Sequence, residues 1–113
     1  MNEIEFRHQV CKALQFLEEH LEQQLDHQAD IDAREESLQI TLSSGQIWLL
    51  NRHTPSREIW LSSPIQGGIH FGWCVQKKRW ISTRSFQDEL FDFLEKDLSS
   101  VLGFAVQLQK IQA

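Results

Sequence analysis

The chain has 113 residues, a length suited to one domain built on one hydrophobic core. Apolar residues make up 41% and aromatic residues 10%, which speaks against disorder, and no apolar run reaches the roughly 18 to 20 residues that a membrane span requires. The formal charge of −5 disfavours nucleic acid because of where it lies: six acids and no Lys or Arg stand between Ala13 and Ala33, while the rest of the chain carries ten acids against eleven bases.

Residues 3 to about 25 read as an amphipathic helix. Phe6, Val10, Ala13 or Leu14, Leu17, Leu21 and Leu25 recur at three- and four-residue steps and form a core-facing stripe. Glu18, Glu22 and Asp26, at steps of four, line the opposite side with Glu19 beside them. From Asp30 to about Trp80 the period changes to two. Leu38, Ile40 and Leu42 predict one strand, Ser43-Ser44-Gly45 a turn, and Ile47 to Leu50 the next strand. Asn51 to Arg57, with Pro55, reads as a connection. Glu58 to Ser63 is a strand ended by Pro64 and a Gly67-Gly68 hairpin turn; Ile69, Phe71, Trp73 and Val75 alternate in the strand after it. Gln76-Lys77-Lys78 turns into a last strand, Arg79 to Thr83.

Ser85 with Asp88 has the spacing of a capping box and predicts the start of a second helix, with Leu90, Phe91, Leu94, Leu98 and Val101 as its stripe and Gly103 as its stop. Phe104, Val106 and Leu108 alternate in a tail too apolar to float free. Short connections throughout imply an antiparallel meander. The fold class is therefore α+β: a two-layer sandwich with N- and C-terminal helices on one face of a five- to six-stranded antiparallel sheet. Residues 1–113 form a single domain whose apolar tail, 103–113, is expected to pack on the helices. Two helices cover only one face of such a sheet, so the other face is open to solvent.

Little in the sequence supports catalysis. No nucleophile–base constellation, Gly-rich phosphate cradle or nucleotide fingerprint is present, and the chain is read as a non-enzyme. Cys11 and Cys74 make neither a disulfide framework nor a CxxC pair, and the scattered histidines do not supply a four-ligand zinc site. The open face offers more. If Ile59 and Leu61 point at the helices, Trp60 points away, and His70 does the same between Ile69 and Phe71. An outward Trp is either an interface anchor or is covered by neighbouring side chains. A base-stacking RNA surface would need a basic surround that is missing here.

The run Asn51-x3-Pro55-x3-Ile59-Trp60-Leu61-Ser62-Ser63-Pro64-x2-Gly67, followed by Trp80, resembles the signature block of the frataxin family in its bacterial form. Asp30-Ile31-Asp32 resembles that family's first strand, and Glu18-Glu19 the acidic pair late in its first helix, so the similarity spans roughly residues 3 to 100. The resemblance implies a sheet face of Asn51, Trp60 and His70 that contacts the assembly machinery, and an acidic ridge of Glu18, Glu19, Glu22, Asp26, Asp30 and Asp32. It implies weak binding of ferrous and ferric iron on that ridge, docking on a cysteine desulfurase, and modulation of iron–sulfur cluster assembly on the scaffold protein.

Hard carboxylate oxygens without a fixed cage select poorly, so other divalent cations are expected to compete. The expected setting is the bacterial cytoplasm, with no membrane or nucleic-acid partner, the protein being a monomer or an iron-dependent oligomer. Three departures from the family pattern stand out: Gln23, Gln24 and Leu25 dilute the ridge, His20 and His27 flank it, and Phe86 stands where a Gly is usual. Two other readings stay open: a metal-independent interaction module whose acids attract a basic partner, and a ferroxidase or iron store, for which a surface ridge is a poor fit.

Overall fold

The structure, a computed structural model, describes residues 1–108. Helix α1 spans Glu3–Leu25 and begins on Asn2, whose side chain accepts from the Glu5 backbone N–H while the Glu5 carboxylate accepts from the Asn2 N–H. This reciprocal cap satisfies two N–H groups that the first turn leaves without partners. The stripe expected from the sequence is the buried one: Phe6, Val10, Ala13, Leu14, Leu17, Leu21 and Leu25 all lie in the core. A single 3-10 turn, Asp26–Gln28, leads into the sheet.

Six strands follow, β1 Ala29–Ala33, β2 Ser37–Leu42, β3 Ile47–His53, β4 Glu58–Ser63, β5 Gly67–Cys74 and β6 Arg79–Ser82, and then helix α2, Leu90–Leu102. Each strand pairs antiparallel with the next in chain order, leaving β1 and β6 at the edges. Both helices lie on one face. Leu38, Ile40, Leu42, Trp48, Leu50, Ile59, Leu61, Ile69, Phe71 and Trp80 point into that layer and join Leu90, Leu94 and Leu98 of α2 in one buried cluster. No helix among the described residues is long and apolar enough to cross a membrane.

Four local details differ from the periodicity. β3 continues through Asn51 to His53, so the connection is only Thr54–Arg57, with Arg57 at φ 58°. The loop between β4 and β5 is Pro64–Gln66; Gly67, at φ 83°, closes it and pairs with Ser63, so the glycines begin the strand instead of forming the turn. β5 ends at Cys74, which leaves Val75 exposed in the next turn.

The fourth difference is the start of α2. Ser85 Oγ does accept from the Asp88 N–H and donate to its carboxylate, but these bonds close a turn. Beyond that turn, an isolated bridge to Ile81 keeps Glu89 itself extended. Glu89 is the N-cap, its carboxylate accepting from the Asp92 N–H at 3.0 Å. Phe86, within that turn, adopts φ 61°, a left-handed conformation that glycine enters with less strain.

Asp97 ties the two layers together. It stands seven residues after Leu90 on the buried stripe of α2 and is only 5% exposed. Its Oδ2 accepts from Trp48 Nε1 at 3.0 Å and from Ser63 Oγ at 2.6 Å.

The tail is bound by polar contacts as well as apolar ones. Val106 and Leu108 are buried, whereas Phe104 is 39% exposed, so the expected packing of Phe104 is not found. Residues 104–108 run beside the helices without forming a strand: the Gln24 side chain accepts from the Gln107 N–H and donates to its carbonyl, and Ser99 Oγ accepts from the Val106 N–H. The last five residues of the expected tail, 109–113, lie outside the described residues. Truncation after Gly103 is expected to lower the melting temperature clearly, since each fully buried aliphatic side chain stabilises by about 1.5 to 3 kcal/mol. A thermal melt checks this; an unchanged midpoint would show that Val106 and Leu108 contribute nothing.

Candidate functional site: an acidic ridge and an open sheet face

The ridge residues occupy two neighbouring elements. Glu18, Glu19 and Glu22 lie on the outer side of α1 at its C-terminal half, and none of their carboxylates makes an ion pair or hydrogen bond among the described residues. The pairs Glu18–Glu22 and Glu22–Asp26 are like charges one turn apart, each costing the helix about 0.2 to 0.5 kcal/mol. Asp26 caps α1 at φ 43° and lies 3.3 Å from His27. Asp30 and Asp32 alternate with the inward Ile31 on β1, which places them on the outer side of the edge strand, opposite Thr41 and Gln39. Asp32 pairs with Arg34 at 3.2 Å, a base just past the acidic stretch. No group of three or more metal-ligating side chains converges among the described residues. The donors are hard oxygens spread along a surface, a set suited to loosely held cations and not to a closed cage.

His20, on the ridge margin, is turned away from it. Its ring lies 4.0 Å from that of Phe16, and its Nδ1 is 2.9 Å from the Phe16 carbonyl.

Sheet pairing sets the second surface. Ser37 is opposite Asn51, Asn51 opposite Trp60, and Trp60 opposite His70, so the residues implied by the family block form one row across the outward face. Directly opposed side chains in antiparallel strands have Cβ atoms about 4.5 to 5.5 Å apart, so such a row is a continuous surface.

Trp60 is half-buried, not largely exposed as the strand alternation predicts, because its neighbours cover it. The His70 ring stacks on one side at 4.1 Å and 5°, the His53 ring on the other at 3.6 Å and 11°. Glu58 Oε1 fixes the indole by accepting from Trp60 Nε1 at 2.8 Å, also accepts from Ser56 Oγ at 3.0 Å, and lies 3.5 Å from His70 Nδ1. Ser56 donates its only proton to Glu58, so in its 2.7 Å bond to His53 it accepts, and His53 Nδ1 carries the proton.

His53 and Glu58 belong to this candidate surface, and the sequence reading missed them. Once β3 was ended at Leu50, His53 had no strand to place it. The available signal was parity: His53 follows Asn51 by two residues and so shares its face.

One carboxyl away from both surfaces has a raised proton affinity. Burial raises the Glu89 carboxyl above the ordinary range, against the lowering effect of the Asp92 and Phe91 N–H groups and of Arg79.

Two helices on a six-stranded meander, with a bare face bearing an aromatic row and an acidic edge, define an open-faced α+β domain of the frataxin type. The frataxin-like domain family matches residues 1–104, and the chain belongs to that family. It is 36% identical to the iron–sulfur cluster assembly protein CyaY of Neisseria meningitidis over 98% of this chain and 99% of the relative. With mitochondrial frataxin of Arabidopsis thaliana it shares 38% identity over 70% of this chain and 42% of that protein. The structure of frataxin from Psychromonas ingrahamii superposes with a TM-score of 0.85 at 24% identity, covering 97% of this chain and all of the other. A trimeric frataxin from Saccharomyces cerevisiae, complexed with ferrous iron, matches with a TM-score of 0.67 at 23% identity over 91% of this chain and 88% of that one. At these identities the structural matches speak for the fold alone.

Proposed function

We propose that this protein takes part in iron–sulfur cluster assembly and regulates it in the bacterial cytoplasm, holding iron weakly on the acidic ridge and docking through the open sheet face on a cysteine desulfurase and its scaffold. The observation that carries the reading is the outward row of Asn51, Trp60 and His70 in a chain so similar to a protein named for that assembly. A half-covered Trp, held rigid by two stacked rings and a carboxylate, is preorganised as an anchor for a partner pocket. The acids of α1 and β1 supply hard oxygen donors at a neighbouring edge, where bound iron is cargo that a docked enzyme could reach.

The ridge is tested by Glu18→Gln, Glu19→Gln and Glu22→Gln together. Anaerobic titration with ferrous iron is expected to show weaker binding, with magnesium and manganese competing in the parent protein. The same variant is expected to gain up to about 1 kcal/mol of stability from lost repulsion. Unchanged iron affinity would move the iron site off these residues and leave the ridge acids as an electrostatic handle for a basic partner. The ferroxidase reading gains no support from the geometry, because it needs carboxylates and histidines gathered in the interior.

A further inference from the structure

Away from the ridge and the sheet row, a cleft of about 370 Å³ opens between the first half of α1, the start of α2 and the β5–β6 hairpin. Its walls are aromatic. Phe16 of α1 lies tilted by 32° against Phe91 of α2, ring centroids 4.8 Å apart, and Trp73 meets Trp80 edge to face at 5.4 Å. Trp73 is only half-buried, so the cleft leaves part of an indole uncovered.

The rim is basic, formed by Lys12, Lys78 and Arg79. One acid reaches it, Glu89, and that carboxylate is already engaged by the Asp92 N–H at 3.0 Å and by Arg79 at 3.7 Å. Lys12 and Lys78 make no ion pair among the described residues. A chain with net charge −5 thus carries a locally positive, aromatic-walled cleft. Ligand pockets combine apolar walls with a few placed polar groups and begin at about 300 Å³, so this one suits a body of one or two fused rings.

We propose that the cleft binds a small amphipathic anion, an aromatic ring bearing one acid group, with the ring against Phe16, Phe91, Trp73 and Trp80 and the acid at Lys12 and Lys78. Flat walls favour an aromatic body through offset and edge-on ring contacts, and the two unpaired ammonium groups favour an anionic head. The site shares no residue with the ridge or with the Trp60 row. It bridges both helices, so occupancy stabilises the fold by mass action.

The test is a titration of the full chain with 2-naphthoate, and separately with neutral 2-naphthamide, followed by backbone-amide and indole NMR shifts. Saturable shifts are expected at Trp73 and Trp80 with Trp60 unmoved, and the amide is expected to bind more weakly than the acid. The double charge reversal K12E/K78E, at two exposed positions, is expected to weaken naphthoate on the order of tenfold while sparing the amide, the size expected for two screened charge contacts. K77E, outside the cleft, should change neither affinity. Shifts centred on Trp60, equal affinity for acid and amide, or no saturable shift at Trp73 and Trp80 would each overturn the proposal.

Discussion

Trp60→Ala is expected to lower affinity for the desulfurase–scaffold complex by about 30-fold or more, because an interface Trp anchor is often worth 2 kcal/mol or more. From strand alternation alone the change would be nearly neutral for stability, within about 0.5 kcal/mol. The structure revises that upward. Replacing the indole dissolves two ring stacks, each worth about 0.5 to 1.5 kcal/mol, and releases the hydrogen bond to Glu58. A melt lowered modestly, with partner binding lowered far more, is the expected pair of results. His53→Ala is the companion variant, since it removes one flank and keeps the anchor. It should weaken docking less than Trp60→Ala does, by loosening the indole. Normal binding by Trp60→Ala would take the sheet face out of the interface and leave the ridge alone to carry function.

Asp97→Ala is expected to give one of the largest losses of stability available from a polar substitution, about 2 to 4 kcal/mol. The change leaves Trp48 Nε1 and Ser63 Oγ facing the core without an acceptor, and an orphaned buried donor costs about 1 to 3 kcal/mol. Trp48 is fully buried, so water does not readily replace the lost carboxylate. Asp97→Asn keeps an acceptor oxygen and should lose clearly less. Denaturant unfolding of the three proteins measures the differences; an alanine variant as stable as the parent would mean that the interlayer tie is dispensable. Iron titration should be unaffected, which separates this site from the ridge.

The layers of this fold were legible because the two periods are clean. The three- and four-residue steps of α1 and the alternation in β2, β4 and β5 place almost every core residue correctly. What escaped was set by contacts distant in sequence. Ser85 and Asp88 form the local bonds that their spacing promises, yet those bonds close a turn, and the bridge from Ile81 keeps Glu89 extended so that the helix starts at Leu90. The tie made by Asp97 depends on Trp48 and Ser63, which two strands distant in sequence bring to it. At the candidate site, strand alternation turns Trp60 and His70 outward, the family resemblance adds Asn51, and their shared row follows from strand register. Which side chains cover Trp60 was not legible, because that depends on β3 reaching His53 and on the stacking geometry of two imidazoles.

The position of β1 has a consequence for how copies of this protein behave toward one another. An edge strand presents unpaired N–H and C=O groups that another chain can extend, and proteins commonly guard such edges with short strands and charged side chains. β1 is five residues long, and its two outward acids, Asp30 and Asp32, set like charges against any second copy approaching edge to edge. Those carboxylates also belong to the proposed ridge. A cation bound at the proposed ridge is therefore expected to lower the barrier to strand pairing between molecules, so that self-association rises with metal load.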